Sequence, residues 1–142
     1  MDVGQGQLAW KLRQNKQVVV MEKTNARQLT PAAFPEGFVL VGLAVIDCSF
    51  ISLRKIIPAA VALLKPSGRI VALIKPQFEA GKAEADRGSG VIRDPTVHQR
   101  VIHELQEFIA AQDGLRWAGV VESPITGPAG NKEFLALIEK TH

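Results

Sequence analysis

Short β-branched runs alternating with helical patterns constrain this chain more than anything else in it. The runs are "QVVVME" (17–22), "LVGLAVIDCSF" (40–50), "GRIVALIK" (68–75), "RWAGVVES" (116–123) and "EFLALIEK" (133–140). They are nearly continuous in apolar residues, the pattern of strands covered on both faces. Between them, "GQLAWKLRQ" (6–14) reads as a short helix, and "ISLRKIIPAAVALLK" (51–65) as a helix that Pro58 kinks or splits. The clearest helix is predicted over 94–114, with Asp94 as its cap and Pro95 at its first position. Val97, Val101, Leu105, Phe108 and Ile109 form its apolar stripe, and Gly114 ends it. This alternation predicts an α/β fold with a mostly parallel sheet. "PITGPAGNK" is too short for a crossover helix, so the last strand is predicted antiparallel to its neighbour.

A chain of 142 residues fits one domain with a core of its own, here residues 1–142. One cysteine, Cys48, leaves no intramolecular disulfide and no thiolate metal cluster. The apolar runs fall short of the roughly 18 residues of a spanning helix. "MDVGQGQLAW" has no basic and then apolar leader, so a cytoplasmic location is expected. The formal charge is +3, with nine Lys/Arg against four Asp/Glu in residues 1–71 and eight against ten in 72–142. That permits a polyanionic partner without demanding one.

Chemistry gathers where strands end, because ligands of open α/β sheets bind beyond the carboxyl ends of the strands. Asp47 closes the second long run, and Lys75 closes the third. An antiparallel final strand starts where its neighbours end, which brings Glu133 to the same rim. A lone ammonium at the edge of a core is costly unless paired, so Lys75 is expected to meet these carboxylates. The stretch 76–92, "PQFEAGKAEADRGSGVI", is too long for a plain connector and reads as a lid or substrate loop.

"DVGQGQLAWKLR", "TNAR", "DCSFISL", "IKPQFEAGK", "GSGVIRDPTVH" and "GPAGNKEFL" together resemble the haemolysin-A (TlyA) branch of the FtsJ-like ribosomal RNA 2′-O-methyltransferases. The likeness runs in order over nearly the whole chain. It implies a Rossmann-like, S-adenosylmethionine-dependent methyltransferase fold acting on ribosomal RNA or a ribosomal subunit. It also implies a Lys-Asp-Lys-Glu tetrad, in which Asp47, Lys75 and Glu133 are the last three members. Asp2 would hold the cofactor ribose, Asn25 and Ala26 would lie near the adenine, and Asp47 would border the cofactor. No metal is implied. Membrane lysis, suggested only by the family's name, is not expected without a spanning segment or a strongly basic amphipathic helix.

The likeness begins at the end of the family's second strand. The first tetrad lysine, the first strand with its glycine-rich turn, and a small S4-type domain have no counterpart in these residues. One cation then faces two anions, and the chain is expected to be inactive alone. "QVVVME" is expected to stand detached, and bare apolar edges are expected to favour self-association. A non-catalytic remnant that binds RNA or a partner chain is the competing reading.

Other residues invite blander readings. Gly4–Gly6, "GQG", lacks the preceding strand and third glycine of a dinucleotide fingerprint. Cys48 reads as a small core thiol, and His98 and His103, five apart on a helix, do not suit a metal. Arg93 and Asp94 are expected to tie the lid to the helix. Lys82 and Arg87 could touch phosphates but read first as a solvated loop. Trp10 and Trp117 are expected to pack rather than to stack on bases.

Overall fold

The computed structural model describes residues 1–142. Its sheet holds four strands, β1 (Val41–Ile46), β2 (Leu64–Ile74), β3 (Leu115–Glu122) and β4 (Phe134–Lys140), in the order β1-β2-β4-β3. β1 and β2 are parallel, and β4 runs antiparallel to both β2 and β3. Three strands therefore share one direction and only the last is reversed, as the short connection required. The helices are α1 (Trp10–Arg13), α2 (Ile57–Ala62), α3 (Pro76–Glu79), α4 (Lys82–Arg87) and α5 (Pro95–Ala110).

Burial follows the two-residue period of the strands on one face. Ile70, Ala72 and Ile74 of β2 are fully buried and stand in register with Ile138, Ala136 and Phe134 of β4. Against them lie Val101, Leu105 and Ile109 of α5, together with Ile57 and Ala60 of α2. Each fully buried aliphatic side chain of this layer contributes about 2 kcal/mol. Asp94 caps α5 by accepting from the Thr96 amide, with Pro95 beside it in the first turn. Pro58 splits the preceding segment into a 3₁₀ turn (Leu53–Lys55) and α2, where it occupies an N-terminal position that needs no N–H. Lys140 closes α2 from the far end, its Nζ donating to the carbonyls of Leu64 and Val61 at 2.9 and 3.3 Å.

Three expectations are overturned. The opposite face of the sheet is not covered: Leu43, Val45 and Val121 on it are 55%, 72% and 63% exposed. Val71, Leu73, Leu135 and Leu137 beside them are only half-buried. Continuous apolar runs state that both faces are apolar, but not that these residues supply the second layer. Residues 17–22 form no strand: they pair with no strand of the sheet, and the outer edge of β1 stays bare. They stay detached, held by bonds such as Asp2 N–H to the Met21 carbonyl at 2.9 Å. Trp10 is 69% exposed rather than packed, whereas Trp117 packs against the core. No helix is long and apolar enough to cross a membrane.

Candidate active site

Asp47 follows the last residue of β1 and Lys75 the last residue of β2, so parallel pairing brings both to one end of the sheet, with Ile46 opposite Ala72 and β2 running two residues further. Lys75 Nζ lies 2.7 Å from Asp47 Oδ1 and donates to Ser49 Oγ at 3.1 Å. The ammonium is nearly enclosed, with its side chain 13% exposed, whereas that of Asp47 is 65% exposed. The pair is therefore half-wet, and its net stabilisation is at most about 1 kcal/mol.

Glu133, just before β4, comes to the same rim but makes no ion pair with Lys75. It is buried, and it faces Lys75 across a cleft of about 470 Å³ also lined by Ser49, Phe50, Gln77 and Asn131. Gly127 lies hard against it: a Cβ there would come within 2.7 Å of Glu133 Oε1. The expected pair of carboxylates on Lys75 is thus one carboxylate and one hydroxyl in contact, with the second carboxylate across a space that a small group can enter.

A second cavity, of about 280 Å³, adjoins the cleft through Ser49 and Phe50. Asp2, Asn25, Ala26 and Asp47 all line it, with Cys48, Ile51 and Ile56 as apolar wall. Asp2 is fixed through its backbone to Met21 and Thr24, and its Oδ1 accepts from the Gly4 amide at 2.6 Å. Asn25 Oδ1 caps a 3₁₀ turn by accepting from Arg27 N–H at 3.1 Å, which leaves its amide NH₂ free to donate. Two carboxylates, one amide and an apolar wall suit a nucleoside, whose ribose hydroxyls donate and whose base prefers apolar surface. Of the basic side chains, Lys75 alone lines either cavity.

Other assignments resolve in structural terms. The Gly6 amide donates to Glu22 Oε1 at 2.9 Å, so the chain's own carboxylate fills the turn that a phosphate would occupy. Arg13 pairs with the same carboxylate, and its hydrogen bond leads the causes that hold Glu22 below the usual carboxylate range. Burial, and then the Asp47 charge, raise the Cys48 thiol above its ordinary value, the opposite of what a nucleophile needs. His98 is buried, with Nε2 at 2.9 Å from the Ile92 carbonyl and its ring edge-on to Phe134 at 5.5 Å.

Sequence reasoning missed several residues that shape the cleft. Asn131 is buried and ties down the end of the 76–92 stretch: its Oδ1 accepts from Ile92 N–H and its Nδ2 donates to the Gly90 carbonyl, both at 2.9 Å. His98 and Asn131 therefore perform the anchoring expected of Arg93 and Asp94. The stretch is no open loop, since α3 and α4 lie within it. Phe50 is 89% exposed at the lip shared by both cavities, with a left-handed φ of 63° that a bulky residue rarely adopts. Its ring centroid lies 4.9 Å from that of Phe78. Nothing in the sequence announces that backbone conformation.

Comparison with known proteins agrees with this fold. The model of the FtsJ-like methyltransferase family matches residues 1–140. YqxC of Bacillus subtilis, named as a candidate rRNA methyltransferase, is 51% identical over 135 residues, covering 95% of this chain and 47% of its own. The 16S/23S rRNA (cytidine-2′-O)-methyltransferase TlyA of Mycobacterium tuberculosis is 46% identical over 133 residues, covering 94% of this chain and 48% of its own. The crystal structure of a candidate haemolysin from Lactococcus lactis superposes with a TM-score of 0.89 at 47% identity, covering 98% of this chain and 64% of that one. The chain spans about half the length of these curated relatives. With its Rossmann-like α/β fold and a family match over nearly every residue, this chain belongs to the FtsJ-like methyltransferase family.

Proposed function

We propose that these residues carry the acceptor side and part of the cofactor side of a ribosomal RNA ribose 2′-O-methyltransferase. The observation that carries the reading is the meeting of the two cavities at Ser49 and Phe50, with the Asp47–Lys75 pair spanning them. S-adenosylmethionine supplies an already activated methyl group when bound. Asp2 would accept from its ribose hydroxyls, Asn25 and Ala26 would border the base, and Asp47 would close the cavity toward Lys75.

In the cleft, Lys75 is the group that can orient a ribose 2′-hydroxyl, and Asp47 and Ser49 fix where its ammonium points. Alignment is the larger part of the task, because an activated donor needs mainly a correctly placed acceptor. Glu133, across the cleft, is the free acceptor within the site for a proton leaving that hydroxyl. Phe50 offers an exposed ring at the lip on which a base of the RNA can stack. On this reading Lys82 and Arg87 of α4 would meet phosphate. No second cation stands near Lys75 to make it a base, and we expect no methyl transfer from this chain alone. The reading places the protein in the cytoplasm with the ribosomal subunits.

The open sheet face and the bare edge of β1 favour a second reading, a non-catalytic module that binds RNA or another chain. Calorimetric titration with S-adenosylmethionine separates the two. Measurable binding, weakened about tenfold in Asp2→Ala, is expected for a nucleoside site that loses a charge-assisted hydrogen bond. Absence of any heat up to millimolar cofactor would leave only the second reading.

A further inference from the structure

The loop after β1 and the segment after β2 are joined by three contacts that run in register. Asp47 meets Lys75, the Phe50 ring meets Phe78, and Ser52 and Leu53 meet Glu79. The last contact is the tightest. Ser52 Oγ–H donates to Glu79 Oε2 at 2.6 Å, and Leu53 N–H donates to Glu79 Oε1 at 2.7 Å. Lys75 is the N-cap of α3 and Glu79 its last residue, so one helical turn carries both polar anchors. Ser49 and Phe50, which shape the cleft, sit on the loop between the two anchored ends.

We infer that Glu79 is a positioning residue for the cleft, clamping residues 52–53 to α3 and so fixing where Phe50 lies and how Lys75 reaches Asp47 and Ser49. Only the use made of the cleft rests on the methyltransferase reading; the clamp stands on its own geometry. An exposed, left-handed Phe50 has little else to hold it, since its ring touches Phe78 on the same α3 turn. The charged groups facing Glu79 are Arg54 on the 3₁₀ turn and Glu104 on α5, themselves paired at 3.0 Å. Burial raises the Glu79 carboxyl above its ordinary value, against the bonds from Ser52 and Leu53 and the Arg54 charge. The clamp therefore discharges at a pH where exposed carboxylates are still ionised.

The test is NMR on the 142-residue chain labelled at phenylalanine and lysine, following the Phe50–Phe78 cross-peak and the Lys75 Nζ signal against pH. In the unsubstituted chain both should shift in one step lying above the usual carboxylate range. Glu79→Gln should keep both contacts, because its amide oxygen still accepts from Leu53, but should lose the step. Glu79→Ala should lose the cross-peak and speed Nζ proton exchange by about tenfold, equivalent to 1.4 kcal/mol, while the strand amides keep their positions. Persistence of the step in Glu79→Gln would overturn the inference, as would an unchanged cross-peak and Nζ signal in Glu79→Ala. If Glu79→Ala does not fold, the comparison with Glu79→Gln decides alone, since a lost step supports the clamp and a retained one removes it. No readout depends on cofactor or RNA, so a failed methyltransferase reading would leave the result intact.

Discussion

Asp47 and Lys75 each stand one residue beyond the end of neighbouring parallel strands, and their side chains meet at 2.7 Å across the gap. The sheet register, not a local motif, makes the pair. Because Asp47 faces water, Lys75→Ala should cost at most about 1 kcal/mol in urea denaturation. Cofactor affinity should move by less than about threefold, since Lys75 lines the other cavity. A collapse of the fold in this variant would show that the pair is structural before it is chemical.

Phe50 offers a way to separate strain from recognition. Phe50→Gly accepts the left-handed backbone freely and should leave the chain as stable or up to about 1 kcal/mol more stable. Short single-stranded RNA, followed by fluorescence anisotropy, should bind about tenfold more weakly through loss of one stacking platform. Equal affinity would remove Phe50 from the RNA surface.

The carboxylates pull in opposite directions as pH changes. Glu22 and Asp94 are held below the usual range, chiefly by the Arg13 hydrogen bond and the Thr96 amide respectively. Their stabilisation is present above the ordinary carboxylate value and is lost as pH falls through their lowered ones. Glu79, raised by burial, does the reverse: its penalty is absent at low pH and grows until its raised value is passed. Glu79→Gln should therefore gain stability relative to the parent between pH 3 and pH 7 in denaturation series. A difference that is flat with pH would mean the carboxyl is not raised.

Asn131 should matter more to stability than its place in a loop suggests. It is buried and makes two bonds to the 90–92 backbone, so Asn131→Ala leaves the buried Ile92 amide without its partner and frees the Gly90 carbonyl. A loss of about 2 kcal/mol is expected, with faster amide exchange at Ile92. Unchanged exchange there would show that His98 anchors the segment by itself.

The bare edge of β1 is expected to drive self-association. Leu43→Lys and Val45→Lys, both at exposed positions, should abolish concentration-dependent sedimentation while changing stability by less than about 0.5 kcal/mol. Association that survives both substitutions would place the contact elsewhere.

Much of this architecture was legible in advance, for reasons that differ between elements. The Asp94–Pro95 start and the spacing of Val101, Leu105 and Ile109 define α5, because cap and stripe are local properties. The reversal of β4 followed from the length of "PITGPAGNK" alone. Residues 17–22 misled because β-branched composition states only a preference, and these residues form no ladder with any strand of the sheet. The positions of Asp47, Lys75 and Glu133 on one rim were readable from strand ends. The gap between Glu133 and Lys75, the Phe50 backbone and the Glu79 clamp were not, since each depends on contacts between distant segments.

The place of β4 in the sheet also sets the order in which the fold can close. β4 follows β3 in the chain yet lies between β2 and β3. As the chain leaves a ribosome, β3 has no hydrogen-bonding partner until β4 emerges, and until then β2 offers its open edge to any passing strand. The last ladder to form joins residues more than sixty positions apart, Ile70 with Ile138, so the slow closure is also the one that completes the site by delivering Glu133. A ribosome that pauses before residue 134 would hold a chain whose central strand waits half-paired, which makes translation speed over this stretch a determinant of yield.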